Sequence, residues 1–327
     1  MLIGEKIQFS GERVRKIKTR TVNEDKRVQD FYVESIFTDS CTYHLFSWKF
    51  KNGSEEEMCT SFVLHEDETY IGMNFDLSER PIKMTLSGDN QLLILQKEGG
   101  RFLPAIGFNK KGIFMNLHMV NPNEEGKYKR NKNSIHMMRL FDEVLSEKVK
   151  TSVLPTYLQE KEIVNVPDYS VQSLIVGPNK KSFLVEPGRK YIDTDQVEDN
   201  FLVLTNFSVR DAMEQEDMTL QGPGSDRYQL AHGKLVNRRG NFSVEQGLSI
   251  LKQTAQREGD FPTQLSIIFN PEEENIYFSL KGDFNRIYRF SFSDLLITTE
   301  RGFERDLGFL VKKKGVLLSE LESWGMK

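Results

Sequence analysis

An α+β fold, with helices packed on sheet faces, is predicted by three features of the sequence. Segments of strand composition dominate beyond Met58, two stretches show helical periodicity, and these two lie between groups of strands instead of alternating with them. A regular β-α-β alternation is thereby disfavoured. The 327 residues are 38% hydrophobic and 28% charged, a globular balance able to bury a sizeable core.

Residues 1–57 differ in composition from the rest of the chain. Lys and Arg crowd residues 6–27, "DFYVESIF" and "YHLFSWKF" have strand composition, and "KFKNGSEEE" closes the segment with a turn signal and an acid run. A boundary near Met58 is expected, separating a 1–58 extension from a 59–327 domain; the other reading makes the first segment extra strands of the same domain. "SFVLH" and "ETYIGMNFD" then read as a hairpin, "LLILQ" and "GIFMNLHMV" as strands, and "QSLIVGPNKKSFLVE" as two strands joined by a Gly-Pro-Asn-Lys turn. "FLVLTNF", "TQLSIIFNPEEENIYFSLKG" and "IYRFSF" continue the pattern. Ser134 is placed to cap a helix whose apolar face uses Met137, Phe141, Val144 and Leu145, and Ser243 with Gln246 forms a capping box ahead of Val244, Leu248 and Leu251.

Composition also narrows function. A net charge of -4 gives no basic excess for nucleic acid or an anionic membrane. No run of about eighteen apolar residues spans a bilayer, and the opening residues lack the apolar core of a signal peptide, so a cytoplasmic location is expected. Two cysteines, Cys41 and Cys59, exclude a disulfide framework and a cysteine metal cluster. The five histidines, at 44, 65, 118, 136 and 232, form no HExxH or HxH pair, so neither a metal nor another cofactor is called for.

Cys59 is the residue with chemistry to offer. A thiol is nucleophilic as its thiolate and, with a free pKa near ~8.5, needs a base or a positive neighbour. No histidine stands close in sequence. If Cys59 were the N-terminal residue, its own α-amine, with a pKa of about 7.7–8.0, would accept the thiol proton. Such a site needs a carboxylate to hold the amine, an oxyanion hole and a cationic group. Asp76 ends the second strand of the hairpin that Cys59 begins, Asn116 and Asn206 end strands, and Arg227 follows a "GPGS" turn. Each also has an ordinary reading, as a turn cap, strand-end amides and a surface guanidinium. His118, two residues after Asn116, falls on the same strand face, where a packed histidine is the ordinary reading.

Together "MCTSFVL", "YIGMNFD", "GFNKKGIFMNL", "SLIVGPNKKSFLVE", "LTNF" and "SDRY" resemble the choloylglycine hydrolase and penicillin V acylase family of N-terminal-nucleophile amidases, over residues 59 to about 295. The resemblance implies an αββα four-layer sandwich, two stacked antiparallel sheets between helix layers, and hydrolysis of a linear amide in a small N-acyl substrate through an acyl-thioester. By position it makes Cys59 nucleophile and, through its amine, general base. It gives Asp76 the amine to hold, gives the Asn206 side chain and the Asn116 backbone N–H the oxyanion, and sets Arg227 beside the charged site. Bile salts, penicillin V, N-acyl homoserine lactones and N-acyl amino acids are the candidate substrates. An acyltransferase and a non-catalytic binding protein are the alternatives.

Two departures stand out. Met73 occupies the position where the family's G-R-N-x-D turn carries Arg, which removes a positive charge near the sulfur, although the related acyltransferases tolerate a neutral residue there. Only 20 residues separate Asn206 from Arg227, where bile salt hydrolases carry a long subunit-bridging excursion; their tetramer is not expected, and a homo-oligomer of another kind stays open. Apolar residues Pro81, Ile82, Met84, Phe102, Leu103 and Pro104 either line an acyl pocket or pack the core. A free amine on Cys59 requires loss of residues 1–58, by self-cleavage after Met58 or by translation beginning at Met58 with methionine removal.

Overall fold

A computed structural model describes residues 59–197, 199–214 and 222–325 in full, together with the backbone of four strands before them. The chain divides into two compact units, Met1–Ser54 and Glu55–Lys327. In the first, strands Gln8–Phe9, Glu12–Val22, Val28–Phe37 and Thr42–Phe46 pair in chain order as an antiparallel sheet. Met58 and Cys41 lie outside the described residues, as does the boundary expected after Met58.

The second unit is built on two antiparallel sheets. Among the described residues, the first runs in the order Phe201–Leu204, Thr60–His65, Thr69–Asp76, Thr263–Asn270, Asn275–Leu280, Ile287–Ser291, Leu296–Arg301, Gly308–Leu310. The second sheet runs Ile192–Asp193, Lys181–Val185, Val171–Gly177, Phe114–Asn116, Arg101–Asn109, Gln91–Glu98, Ile82–Ser87, Val316–Leu317, with His118–Met119 also paired to Val171–Gly177.

Side-chain alternation along the strands sets the layers. On the first sheet Val63 and Ile71 point to a shared core with Phe108, Phe114, Leu174 and Val176 of the second. Phe62 and Leu64 point the other way, against Ala231 and Leu235 of helix Ser225–Val236 and Leu248 and Leu251 of helix Val244–Thr254. On the second sheet Met115, Ile175 and Phe183 cover the far face with Leu140, Phe141 and Val144 of helix Met137–Leu145. Helix, sheet, sheet and helix therefore stack in four layers, the αββα sandwich. Strand Thr263–Asn270 is covered on both faces and is buried at every position, its polar Thr263, Gln264, Ser266 and Asn270 included.

Two local expectations change. The helix expected after Ser134 begins at Met137, because Ser134–His136 is instead a short strand parallel to Glu162–Val164, and the Ser134 hydroxyl is engaged by the carbonyls of Lys129 and Asn131. His136 caps the helix, its Nδ1 accepting from the Arg139 N–H at 3.2 Å. Ser243 does cap the helix Val244–Thr254, accepting from the Gln246 N–H at 3.3 Å, while the Gln246 side chain turns to the Arg239 carbonyl. Gly72 is required by close approach: a Cβ there would fall 2.2 Å from the ring of Phe62, its cross-strand partner.

Candidate active site

Strand ends gather the predicted residues. Cys59 immediately precedes Thr60–His65, whose register pairs Thr60 with Asn74 and Ser61 with Leu204. Continuing the antiparallel count places Asn206 across from Cys59 and carries Asp76 past the strand's start. The contacts agree. The Cys59 backbone nitrogen donates to Asn206 Oδ1 at 2.7 Å, and Cys59 Sγ lies 3.8 Å from the Asp76 carbonyl oxygen.

Arg227 arrives from the helix layer that covers the first sheet. It occupies the first turn of helix Ser225–Val236, directly after the "GPGS" turn, and Gly224 enters that helix at a φ of +79°, where a Cβ would lie 2.6 Å from the guanidinium. One guanidinium nitrogen donates to Thr60 Oγ1 at 2.9 Å and to Asp76 Oδ2 at 3.3 Å; the other donates to Asn206 Oδ1 at 3.4 Å. Asp76 also accepts from Thr263 Oγ1 at 2.6 Å and Gln256 Nε2 at 3.1 Å. The acceptor facing the Cys59 nitrogen is thus the Asn206 carboxamide, while the Asp76 carboxylate turns to Thr263, Arg227 and Gln256. Burial pushes the Asp76 carboxyl up to about 7, against the pull of those three donors.

Asn116 lies in an adjoining cluster between the sheets. Its side-chain nitrogen donates to Ser61 Oγ at 2.8 Å and lies 3.1 Å from His118 Nε2 and 3.6 Å from Met73 Sδ, and its Oδ1 accepts from the Leu174 N–H at 2.9 Å. An amide nitrogen is donor only, so His118 Nε2 carries the lone pair and its proton sits on Nδ1. Ser61 Oγ donates to that lone pair at 2.8 Å, and Nδ1–H points at the Thr205 carbonyl at 3.4 Å. Burial holds His118 neutral, its pKa down at about 3. Met73 is fully buried in the inter-sheet core.

Cys59, Asp76, Asn206 and Arg227 thus form one hydrogen-bonded group, and Asn116 is linked to the strand end of Asn206 through Ser61, His118 and the Thr205 carbonyl. Residues that motif matching passed over are Ser61, Thr263, Gln256, Gln172 and Met119, whose carbonyl accepts from Asn206 Nδ2 at 2.9 Å. Alternation alone put Ser61 on the face of Cys59; the others come from distant segments and carried no local signal. Ile82 and Met84, candidates for an acyl pocket, are inter-sheet core residues instead. Phe102 is partly exposed and stacked under the Lys83 ammonium. Cys59 itself is 3% exposed. Surface recesses of about 630 and 340 Å³ are lined by polar and charged loop residues and by none of the five predicted site residues. Among the described residues no cluster of His, Cys, Asp or Glu has metal-ligand geometry, and no helix is long and apolar enough to cross a membrane.

No family model and no curated protein matches the chain by sequence. Solved structures do match it in three dimensions. A mutant of the conjugated bile acid hydrolase from Clostridium perfringens superposes with a TM-score of 0.55 at 15% identity, over 78% of this chain and 97% of the other. A second variant of that hydrolase gives 0.54 at 15%, over 78% and 98%. Penicillin V acylase from Agrobacterium tumefaciens gives 0.53 at 11%, over 74% and 90%. The chain therefore shares the fold of these two proteins, and its own layering is the αββα sandwich described above.

Proposed function

We propose that the chain is a cysteine N-terminal-nucleophile amidase that hydrolyses the linear amide bond of a small N-acyl compound. The observation that supports this most directly is the Cys59 nitrogen, held 2.7 Å from Asn206 Oδ1 in a buried polar group that includes Arg227 and Asp76. A peptide N–H makes modest use of such a setting. An α-ammonium would use it fully, since a charged donor strengthens each hydrogen bond it makes.

Two routes yield that amine. In self-cleavage, Cys59 Sγ attacks the Met58 carbonyl, the Cys59 nitrogen leaves with a proton, and water hydrolyses the resulting thioester to a Met58 carboxylate and a free thiol. In the other, translation begins at Met58 and the methionine is trimmed.

In the mature site the amine takes the Sγ proton and the thiolate attacks the substrate carbonyl. The oxyanion is received by N–H donors at the strand ends: Asn206, with the Asn116 backbone as the second donor that the resemblance assigns. The ammonium then protonates the departing amine, leaving an acyl-thioester on Cys59. Water, deprotonated by the same amine, releases the carboxylic acid and restores the thiol. An ammonium beside Asp76 would also draw that carboxyl down from its raised value, ionising it when the charge is needed.

Conjugated bile acids and penicillin V, the substrates named for the structural neighbours, head the candidates, with N-acyl amino acids and N-acyl homoserine lactones. The test is a panel of these compounds with wild type and Cys59→Ala: acid release by wild type alone supports the reading, and equal release by both proteins refutes it. Added amine acceptors that yield new amides in place of free acid would mark an acyltransferase.

A further inference from the structure

The strand carrying Asn206 is gripped on either side of that residue. Gln172 Nε2 donates to the Thr205 carbonyl at 2.8 Å and to the Phe207 carbonyl at 3.0 Å. His118, paired with Gln172 across adjacent strands of the second sheet, points Nδ1–H at the same Thr205 carbonyl. All four groups are buried. Sheet pairing cannot supply these bonds, because the ladder between Phe201–Leu204 and Thr60–His65 ends at Leu204. Residues 205–207 therefore owe their path to side chains reaching over from the other sheet.

We infer that Gln172 and His118 are positioning residues that hold the Thr205 and Phe207 carbonyls so that the Asn206 carboxamide meets the Cys59 nitrogen. With both flanking carbonyls fixed, the Asn206 side chain is aimed with its oxygen toward Cys59 and its nitrogen toward the Met119 carbonyl. The histidine is aimed in turn. Leu174 N–H fixes the Asn116 amide, Asn116 donates to Ser61, and Ser61 donates to His118 Nε2, which leaves Nδ1–H for Thr205. Met73 suits this arrangement, since its Sδ is a weak acceptor beside Asn116 Nδ2, whereas an arginine would add donors where acceptors are needed. The inference rests on the N-terminal-nucleophile reading and adds that Gln172 and His118 act through Asn206.

The test is a double-mutant cycle on the expressed protein, reading the rate of Cys59 alkylation by iodoacetamide against pH. Asn206 accepts from the amine, favours the ammonium and so favours the thiolate. Asn206→Ala is expected to slow alkylation at pH 7 about tenfold and move the pH midpoint upward. Gln172→Met, which keeps length and loses both donors, should do the same several-fold in the wild-type background and nothing further in Asn206→Ala. Gln172→Glu, which turns the donors into acceptors facing two carbonyls, serves if the methionine variant does not fold. Equal slowing in both backgrounds, or none in either, overturns the clamp while leaving Cys59 as nucleophile. Intact mass separates the other failure: a product that keeps residues 1–58 removes the amine, and the parent reading falls together with this one.

Discussion

The backbone nitrogen of Cys59 donates to Asn206 Oδ1 at 2.7 Å, across 147 positions of sequence, and the same oxygen accepts from Arg227. The two lone pairs of that amide oxygen are thereby both engaged. Replacing it is the first test. Asn206→Ala is expected to lower the turnover of an accepted N-acyl substrate by about 10²- to 10³-fold with little change in KM, as loss of an oxyanion donor does. Steady-state kinetics with the substrate panel checks this; an unchanged kcat would remove Asn206 from the reaction.

Asp76 makes a pH-dependent contribution whose sign is fixed by its environment. Its folded pKa of about 7 lies above the ordinary carboxyl value of 3.8, so between those values the native state holds a proton that the unfolded chain has released. Stability from this group is therefore present at low pH and lost as pH rises through the window. Asp76→Asn deletes the effect. Urea unfolding of the uncleaved chain should show the variant gaining on wild type from about pH 4 to 7; His65, His118 and the half-buried His136, whose pKa values desolvation lowers, act oppositely but are common to both proteins and cancel in the difference. A flat difference would place the carboxyl near its ordinary value.

Met73→Arg, which supplies the residue usual in the family that the motifs resemble, should not help this chain. Met73 is fully buried among Val63, Phe75 and Ile267, beside the donor nitrogen of Asn116. An uncompensated guanidinium there should cost about 3–5 kcal/mol in urea unfolding. Higher activity with unchanged stability would show that the surrounding network accommodates the charge.

Much of the fold and the site was legible in the sequence, and the limits of legibility are physical. The hairpin from Cys59 to Asp76 was readable because its alternating and continuous apolar runs are bounded by turn residues and because a tight hairpin returns its ends to one place. The helix Ser225–Val236 was not, since its mixed "SDRYQLAHGKLV" face gives little periodic signal and its burial depends on Phe62 and Phe201 beneath it. Asn116 was readable as a strand end near the site, but its side chain's attachment to Ser61 and Leu174 was not. Contacts between sheets depend on how two layers stack, and one strand's sequence carries no register for that. The same holds for Gln172, which looks like an ordinary polar start to "QSLIVG".

Gly72 tests the packing on the helix side of the first sheet. A methyl group there would overlap the Phe62 ring, so Gly72→Ala should destabilise by about 1–3 kcal/mol through overpacking. Phe62→Leu added to that variant should recover part of the loss in thermal or urea unfolding. Additive losses from the two changes would mean that the ring does not press on Gly72.

The proposed chemistry stands on the nitrogen of Cys59 becoming a free amine in the working protein. Intact mass and N-terminal sequencing of the active species, expressed from its own upstream DNA, measure that directly. A chain beginning at Cys59 is expected, with a covalent acyl mass on that residue when an accepted substrate is quenched during turnover. An active species that retains residues 1–58, or whose Cys59 nitrogen remains acylated, contradicts the mechanism.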